Sequence, residues 1–523
     1  MSELTSDLVA ALVEIVTDRH VVTDPAERRY FSRDLFPWED APIALAVVAP
    51  GNVEEVQALA RAASRLDFDL VVRGGGMSTG RSYVPATARS VIVDMRRLNR
   101  VREVNAGDRY IVVEAGCTWE TLHAALPRDW SLETHAPLSG NYSTVGGALA
   151  HGYPSGLEGI LGVEVVRANG EVARTGSWGR VGDGRAYYRE YGPDLTGLFI
   201  GDTGAFGIKT AVSLHLVARP GARATASFGY DRFEDVAATF VALAPYDVFT
   251  RRFCFDPYDT ANLSKVRAGE AASAAAKILG SAGSLRQGMK DGLSLLKAGL
   301  GGGAEACWSI NLVAEQFTQQ AADAAIEAGA RICLRLGRRI PNVTALAGAT
   351  PIYSVRRFLG RDGERWIATN AIFPISRAVE VTRATEAFFA ARQADLDRHR
   401  VRVGYISQVT PVHWQIEPLF YWPDEVEELH LRHLGADEAA KFRSLKGEPG
   451  TREFVLRLRE ALRDHFERLG ALHVHLSKFF RYAEVLEPGA RSLLRDIKTA
   501  LDPEGRMNPG NLGLHPPAKG IGG

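Results

Sequence analysis

The chain has 523 residues, about three times a typical domain, which implies two or three domains built on more than one core. Lys+Arg and Asp+Glu each number 62, so no net charge draws in nucleic acid or an acidic polymer, and the absence of colloidal repulsion favours self-association, most simply a homodimer. Cys117, Cys254, Cys307 and Cys333 are scattered with no CxxC pair, the N-terminus lacks a signal pattern, and no apolar run approaches about 20 residues; these exclude a disulfide framework and a membrane span, leaving a cytoplasmic protein with at most peripheral membrane association.

Residues 6–17 carry apolar positions at helical spacing, and Thr23-Asp24-Pro25 starts a second helix. Residues 43–49 read as a buried strand, and Pro50-Gly51-Asn52 turns into a helix over 53–60. The strand Leu70-Val71-Val72 runs into Arg73-Gly74-Gly75-Gly76-Met77-Ser78-Thr79-Gly80. Further strands follow at 91–95 and 110–115, with a short helix from Thr118. From Pro220-Gly221 to about Trp422 the pattern changes to longer strands and helices, among them a strand at 226–230 and a helix through 321–325. Residues 268–303, rich in Ala, Gly, Ser and Lys, read as a helical hairpin with a mobile tip, or as a lid or peripheral membrane helix. An amphipathic helix spans 455–469. The expected division is 1–219, 220–478, and a segment 479–523 that returns to the first domain.

Glycine lets backbone amides approach a ligand closely, and successive amides form a nest for phosphate oxygens. The 73–80 loop therefore points to a diphosphate-bearing cofactor, the alternative being a plain tight turn; its spacing is neither GxGxxG nor GxxxxGK[ST]. Three more motifs follow in order. Pro137-Leu138-Ser139-Gly140-Asn141-Tyr142-Ser143-Thr144-Val145-Gly146-Gly147 is the first, and Gly201-Asp202-Thr203-Gly204-Ala205-Phe206-Gly207-Ile208 the second. The third is Leu501-Asp502-Pro503-Glu504-Gly505-Arg506-Met507-Asn508-Pro509-Gly510-Asn511. Together they resemble the FAD-linked oxidoreductases of the vanillyl-alcohol oxidase and p-cresol methylhydroxylase superfamily, nearest the D-lactate dehydrogenase and glycolate oxidase D-subunit group. The resemblance implies an α+β fold: a two-subdomain FAD-binding domain and an α/β cap domain with a central antiparallel sheet. It also implies that residues 73–80 cradle the diphosphate, that Pro137, Tyr142, Ser143, Thr144, Gly146, Gly147, Gly204, Gly207 and Ile208 line the cofactor, and that Asn508 approaches it. Met77 stands where some members carry a flavin-linking histidine, and Pro154-Ser155-Gly156 lacks the second linking residue, a cysteine. FAD is accordingly expected to be non-covalent, with His413 or Tyr405 the remaining attachment points.

Two stretches carry candidate chemistry. In a strand, His413, Gln415 and Glu417 share one face, as do His473 and His475. Side by side, such strands converge an acid/base set, or a set suited to a divalent metal. The metal-holding GHxGDGNxH and EHGxG segments of the resembled group are missing, so a metal is not expected. Oxidising an alcohol needs a base for the hydroxyl proton; His473 is the first choice, with His413 or His475 assisting. Arg481 is the leading cation for a substrate carboxylate, ahead of Arg356, Arg357 and Arg361. The implied activity is FAD-dependent dehydrogenation of a hydroxylated small molecule, a D-lactate-like 2-hydroxy acid, with electrons passed to an unknown acceptor other than nicotinamide. Two alternatives stand beside it: a phenolic or benzylic alcohol oxidase using Tyr83, Tyr482 and Arg481, and a flavin-binding subunit without turnover.

Overall fold

The computed structural model describes residues 6–38, 40–152, 157–263, 306–349 and 355–515. The 268–303 segment and Pro154-Ser155-Gly156 lie outside them. Three sheets organise the described chain, and the mixed α+β architecture with a large antiparallel sheet is the one expected from the sequence.

The first sheet has the order Val21–Val22, Ala46–Val48, Ser90–Asp94, Asp69–Arg73. Its last three strands are parallel and buried on both faces, which is why they read as short unbroken apolar runs. The helix Val53–Arg65 covers one side, and its start is fixed locally: Asn52 Oδ1 accepts from the Glu55 amide at 2.8 Å, and the Glu55 carboxylate reaches back to the Gly51 amide at 2.7 Å. Asp69–Arg73 would be a bare edge, but the C-terminal motif closes it. Leu70 donates to Arg506 O at 2.9 Å and Asn508 donates to Leu70 O at 2.8 Å.

The second sheet orders Val101–Asn105, Tyr110–Glu114, Ile208–Ala218, Ile160–Val166 and Val172–Arg174, with Trp130–Leu132 also on Ile208–Ala218. The third orders Arg338–Ile340, Ala222–Tyr230, Trp308–Gln316, Arg251–Phe255, Arg402–Val409, His413–Trp422 and Arg365–Ala368, with Ala371–Pro374 on His413–Trp422. Every pairing in it is antiparallel. Alternation divides its two faces. Trp414, Ile416, Phe420 and Trp422 join the largest core, where the helices Phe233–Leu243, Ala378–Ala390 and Pro449–Arg468 pack. His413, Gln415, Glu417 and Tyr421 face the other way.

One expected element fails. Residues 471–477 form no strand beyond a single bridge between Leu472 and Ile372. His475 takes a left-handed backbone, φ +57°, which turns the chain and breaks alternation, so His473 and His475 do not share a face.

Candidate functional site

A cavity of about 2210 Å³ is lined by the glycine loop, by the loops 133–152 and 203–207, and by the outward face of the third sheet. Gly74, Gly75, Gly76, Met77, Ser78, Thr79 and Gly80 all contribute. The loop is built so that nothing larger than glycine fits. A Cβ on Gly75 would strike the Tyr142 carbonyl, and one on Gly74 the Thr144 hydroxyl. Gly76 adopts φ +80°, and its carbonyl accepts from the buried Tyr83 hydroxyl at 2.7 Å. Beneath the loop, the buried Arg73 guanidinium lies 4.9–5.5 Å from the ring centroids of Tyr30, Phe31 and Tyr83.

Asn508 locks two walls together. Its Oδ1 accepts from the Val72 amide at 3.2 Å and its Nδ2 donates to Thr203 O at 2.9 Å. Asn511 adds a bond to the same carbonyl at 2.8 Å and another to Ser82 O at 2.9 Å. Lys478 donates to Arg81 O and Ser82 O at 3.0 and 2.9 Å, and burial lowers its pKa to about 7. The Thr203 hydroxyl is buried without a protein partner among the described residues, and Gly204 (φ +75°) beside it has its Cβ direction filled by the Asn508 amide. An open glycine cradle with an unused buried hydroxyl at its edge fits a flat, diphosphate-bearing cofactor.

The opposite wall supplies side chains. Register pairs Gln408 with Gln415 and Ile406 with Glu417. Gln408 Nε2 donates to Gln415 Oε1 at 2.6 Å, and Thr410 Oγ1 lies 2.8 Å from His413 Nδ1. Burial pushes Glu417 up to about 7 and lowers His413, so both exchange protons near neutrality or sit neutral there. His475 and His151 also line the cavity with ring centroids 5.9 Å apart; burial lowers them to about 3 and about 4, leaving both imidazoles neutral.

The structure gathers His413, Glu417 and His475 on the cavity and leaves three expected residues off it. His473 stacks on Phe480 at 4.2 Å, and its Nδ1 lies 2.8 Å from Asn370 O. Arg481 is ion-paired with Glu467 and, at 2.7 Å, with Asp464 on the helix Pro449–Arg468. Tyr482 packs against the core of the second sheet. Arg356 is committed to Glu438 and to the carbonyls of Leu359, Gly360 and Arg361. Of the cofactor set, Pro137, Ser143, Thr144, Gly146, Gly147, Gly204, Gly207 and Asn508 line the cavity, whereas Arg73 and Ile208 support it from behind and Tyr142 turns its ring onto His433, 4.0 Å away. Among the described residues no three His, Cys, Asp or Glu side chains stand close enough to hold a metal ion. Sequence reasoning gave no role to Thr203, Gln408 or His151, although Thr203 stands inside the Gly201–Ile208 motif, Gln408 five residues before His413, and His151 at the cap of the small-residue helix Val145–Ala150.

The glycine cradle fits a flat, diphosphate-bearing cofactor, and two stretches of the chain match known domains. Residues 44–176 match the FAD binding domain and residues 481–512 match the FAD linked oxidases, C-terminal domain. Over these residues the chain carries an FAD binding domain and the C-terminal domain of FAD linked oxidases. It is 28% identical to a D-2-hydroxyglutarate dehydrogenase of Xanthomonas citri pv. viticola over 264 residues, 48% of this chain and 54% of that one. It is 27% identical to glycolate oxidase subunit GlcD of Bacillus subtilis over 246 residues, 45% and 50% of the two chains. The chain spans about half the length of the curated relatives it matches. Its fold follows that of substrate-bound p-cresol methylhydroxylase with a TM-score of 0.70 over 97% of this chain and 96% of the other, at 18% identity. The 4-ethylphenol oxidase from Gulosibacter chungangensis gives 0.74 over 99% and 98%, at 19%. Among the described residues no helix is long and apolar enough to cross a membrane.

Proposed function

We propose that this chain is an FAD-dependent oxidoreductase that dehydrogenates a 2-hydroxy acid of the D-lactate kind and hands the electrons to an acceptor other than nicotinamide. The observation that carries the reading is a single cavity with a glycine cradle on one wall and a band of proton-accepting and amide side chains on the other. The names of the curated relatives support the substrate class. Bound FAD would supply the hydride acceptor, flavin N5.

The chain's own residues then have three tasks. A neutral imidazole takes the hydroxyl proton; His475 and His413 both line the cavity, whereas His473 is stacked on Phe480 off it, which favours them over His473. Gln408 and Gln415 orient the carboxylate through amide donors, since Arg481 is spent on Asp464 and Glu467. Asn508, Asn511 and Lys478 hold the cofactor loops in register. On this reading FAD is non-covalent: Met77 stands in the glycine cradle, Tyr405 is buried on the core face of the sheet, and the His413 Nδ1 is engaged by Thr410 Oγ1 at 2.8 Å. Acid precipitation should leave the flavin in the supernatant. The phenol-oxidase alternative loses support because Arg481 and Tyr482 lie off the cavity and the Tyr83 hydroxyl is used by Gly76 O. A homodimer, a cytoplasmic location and the division at residues 219 and 478 complete the proposal.

The test is steady-state turnover of purified protein with an electron-accepting dye and separate D- and L-2-hydroxy acids. Turnover of one enantiomer is expected, with His475→Asn or His413→Asn lowering kcat by about 100-fold. Turnover of benzylic alcohols alone moves the chain to the other branch, and no reduction by any substrate leaves it a binding subunit.

A further inference from the structure

The wall of the third sheet is polar at one end and aromatic at the other. Register sets Phe253 beside Gln408, Phe255 beside Ile406 and Trp366 beside Tyr421. These five apolar side chains, with Tyr258, line the cavity next to the Gln408–Gln415–Glu417 band. They are fixed rather than loose. The Phe253 and Phe255 rings meet edge-on at 5.3 Å, and the Arg402 guanidinium is sandwiched 3.6 Å from Tyr258 and 3.7 Å from Tyr421. Gly404, opposite Leu419 in the register, adds no side chain there, and a Cβ would run into the Asp256 carboxylate and the Tyr421 ring. The cavity, about 2210 Å³, is more than twice the roughly 1,000 Å³ upper end of ordinary small-ligand pockets, so it has room for a large cofactor and a substrate with a bulky substituent.

We propose that this aromatic arm, Phe253, Phe255, Tyr258, Ile406, Trp366 and Tyr421, is the subsite for the substrate's side chain. The preferred substrate is then a 2-hydroxy acid bearing an aryl or long alkyl group. The inference rests on the 2-hydroxy acid reading and sharpens it. A second carboxylate in the arm would face Glu417 and aromatic rings, and the Arg402 guanidinium there is already enclosed between the Tyr258 and Tyr421 rings. Arg361 and Lys441 also line the cavity, together with Asp362, Asp437 and Glu438.

The experiment uses the FAD-loaded full chain. Anaerobic flavin reduction is compared for phenyllactate, mandelate and 2-hydroxyoctanoate against lactate, glycolate and 2-hydroxyglutarate. In parallel, phenylacetate and acetate are titrated as unreactive probes while the flavin absorption spectrum is followed. The aryl or alkyl acids should reduce flavin with at least about tenfold higher efficiency, and phenylacetate should bind about tenfold more tightly than acetate. Phe255→Ala should raise KM for phenyllactate about tenfold and leave lactate within about twofold. If that variant does not fold, the phenylacetate titration of the unaltered chain decides. Equal or better use of lactate or 2-hydroxyglutarate overturns the subsite while keeping the 2-hydroxy acid reading. Reduction by benzylic alcohols and by none of the acids overturns the reading on which it rests.

Discussion

Glu417 shows how far a side chain's behaviour depends on surroundings invisible in the sequence. Its spacing from His413 and Gln415 put it on the right face, because strand alternation is a local rule. Its raised pKa comes from burial by other elements. Since the folded pKa, about 7, lies above the ordinary 4.5, the neutral form favours folding; that contribution is complete below pH 4.5 and is lost as pH rises through 7. That rise corresponds to about 3 kcal/mol. Glu417→Gln should therefore gain in Tm relative to the unaltered chain as pH is raised from about 5 to 8, and thermal melts across that range check it. Constant spacing between the two melting curves would refute a buried, titrating Glu417. His473 and Arg481 mark the opposite case. Their residue types were right for a base and a carboxylate clamp, but Asn370, about a hundred residues earlier, claims His473, and the acids at the end of the preceding helix claim Arg481 across a turn whose course the sequence does not announce.

Three strands of the first sheet were legible as short apolar runs, two of them followed closely by Pro50-Gly51 and Gly74, whereas the two-residue strand Val21–Val22 was too short to announce itself. Residues 471–477 also alternate like a strand, yet one left-handed residue at His475 overrides the pattern, a tertiary effect with no sequence signature. The glycine loop was legible for a firmer reason: its conformation and close approach to Tyr142 tolerate nothing else. Gly75→Ala should accordingly weaken FAD binding by at least about tenfold while the first sheet stays folded, as measured by flavin titration and far-ultraviolet dichroism. Asn508→Ala should cost about 1–3 kcal/mol, because it strands the Val72 amide and weakens the Thr203 contact in a buried place. Denaturation of the FAD-free chain reads that loss, and an unchanged midpoint would remove Asn508 as the clasp between the two loops.

The cavity is lined by residues of all three sheets and of the C-terminal segment, so binding at the cradle should be felt by the whole chain. FAD at 100-fold above its Kd should stabilise the folded state by about 2.7 kcal/mol, with Tm rising further as more is added. A Tm indifferent to FAD would mean the cradle is not a binding site. The cofactor class could be read from four motifs in sequence, since each is a local backbone requirement. The aromatic arm could not, because Phe253, Tyr258, Trp366 and Tyr421 come together only through the pairing of distant strands. The most direct measurement is stopped-flow mixing of the oxidised, FAD-loaded chain with D- and L-2-hydroxy acids in the absence of oxygen. Saturable bleaching of the flavin band by one enantiomer is the expected result. A flavin that stays oxidised with every acid, in protein shown to be folded and fully loaded, would rule out 2-hydroxy acid oxidation by this chain.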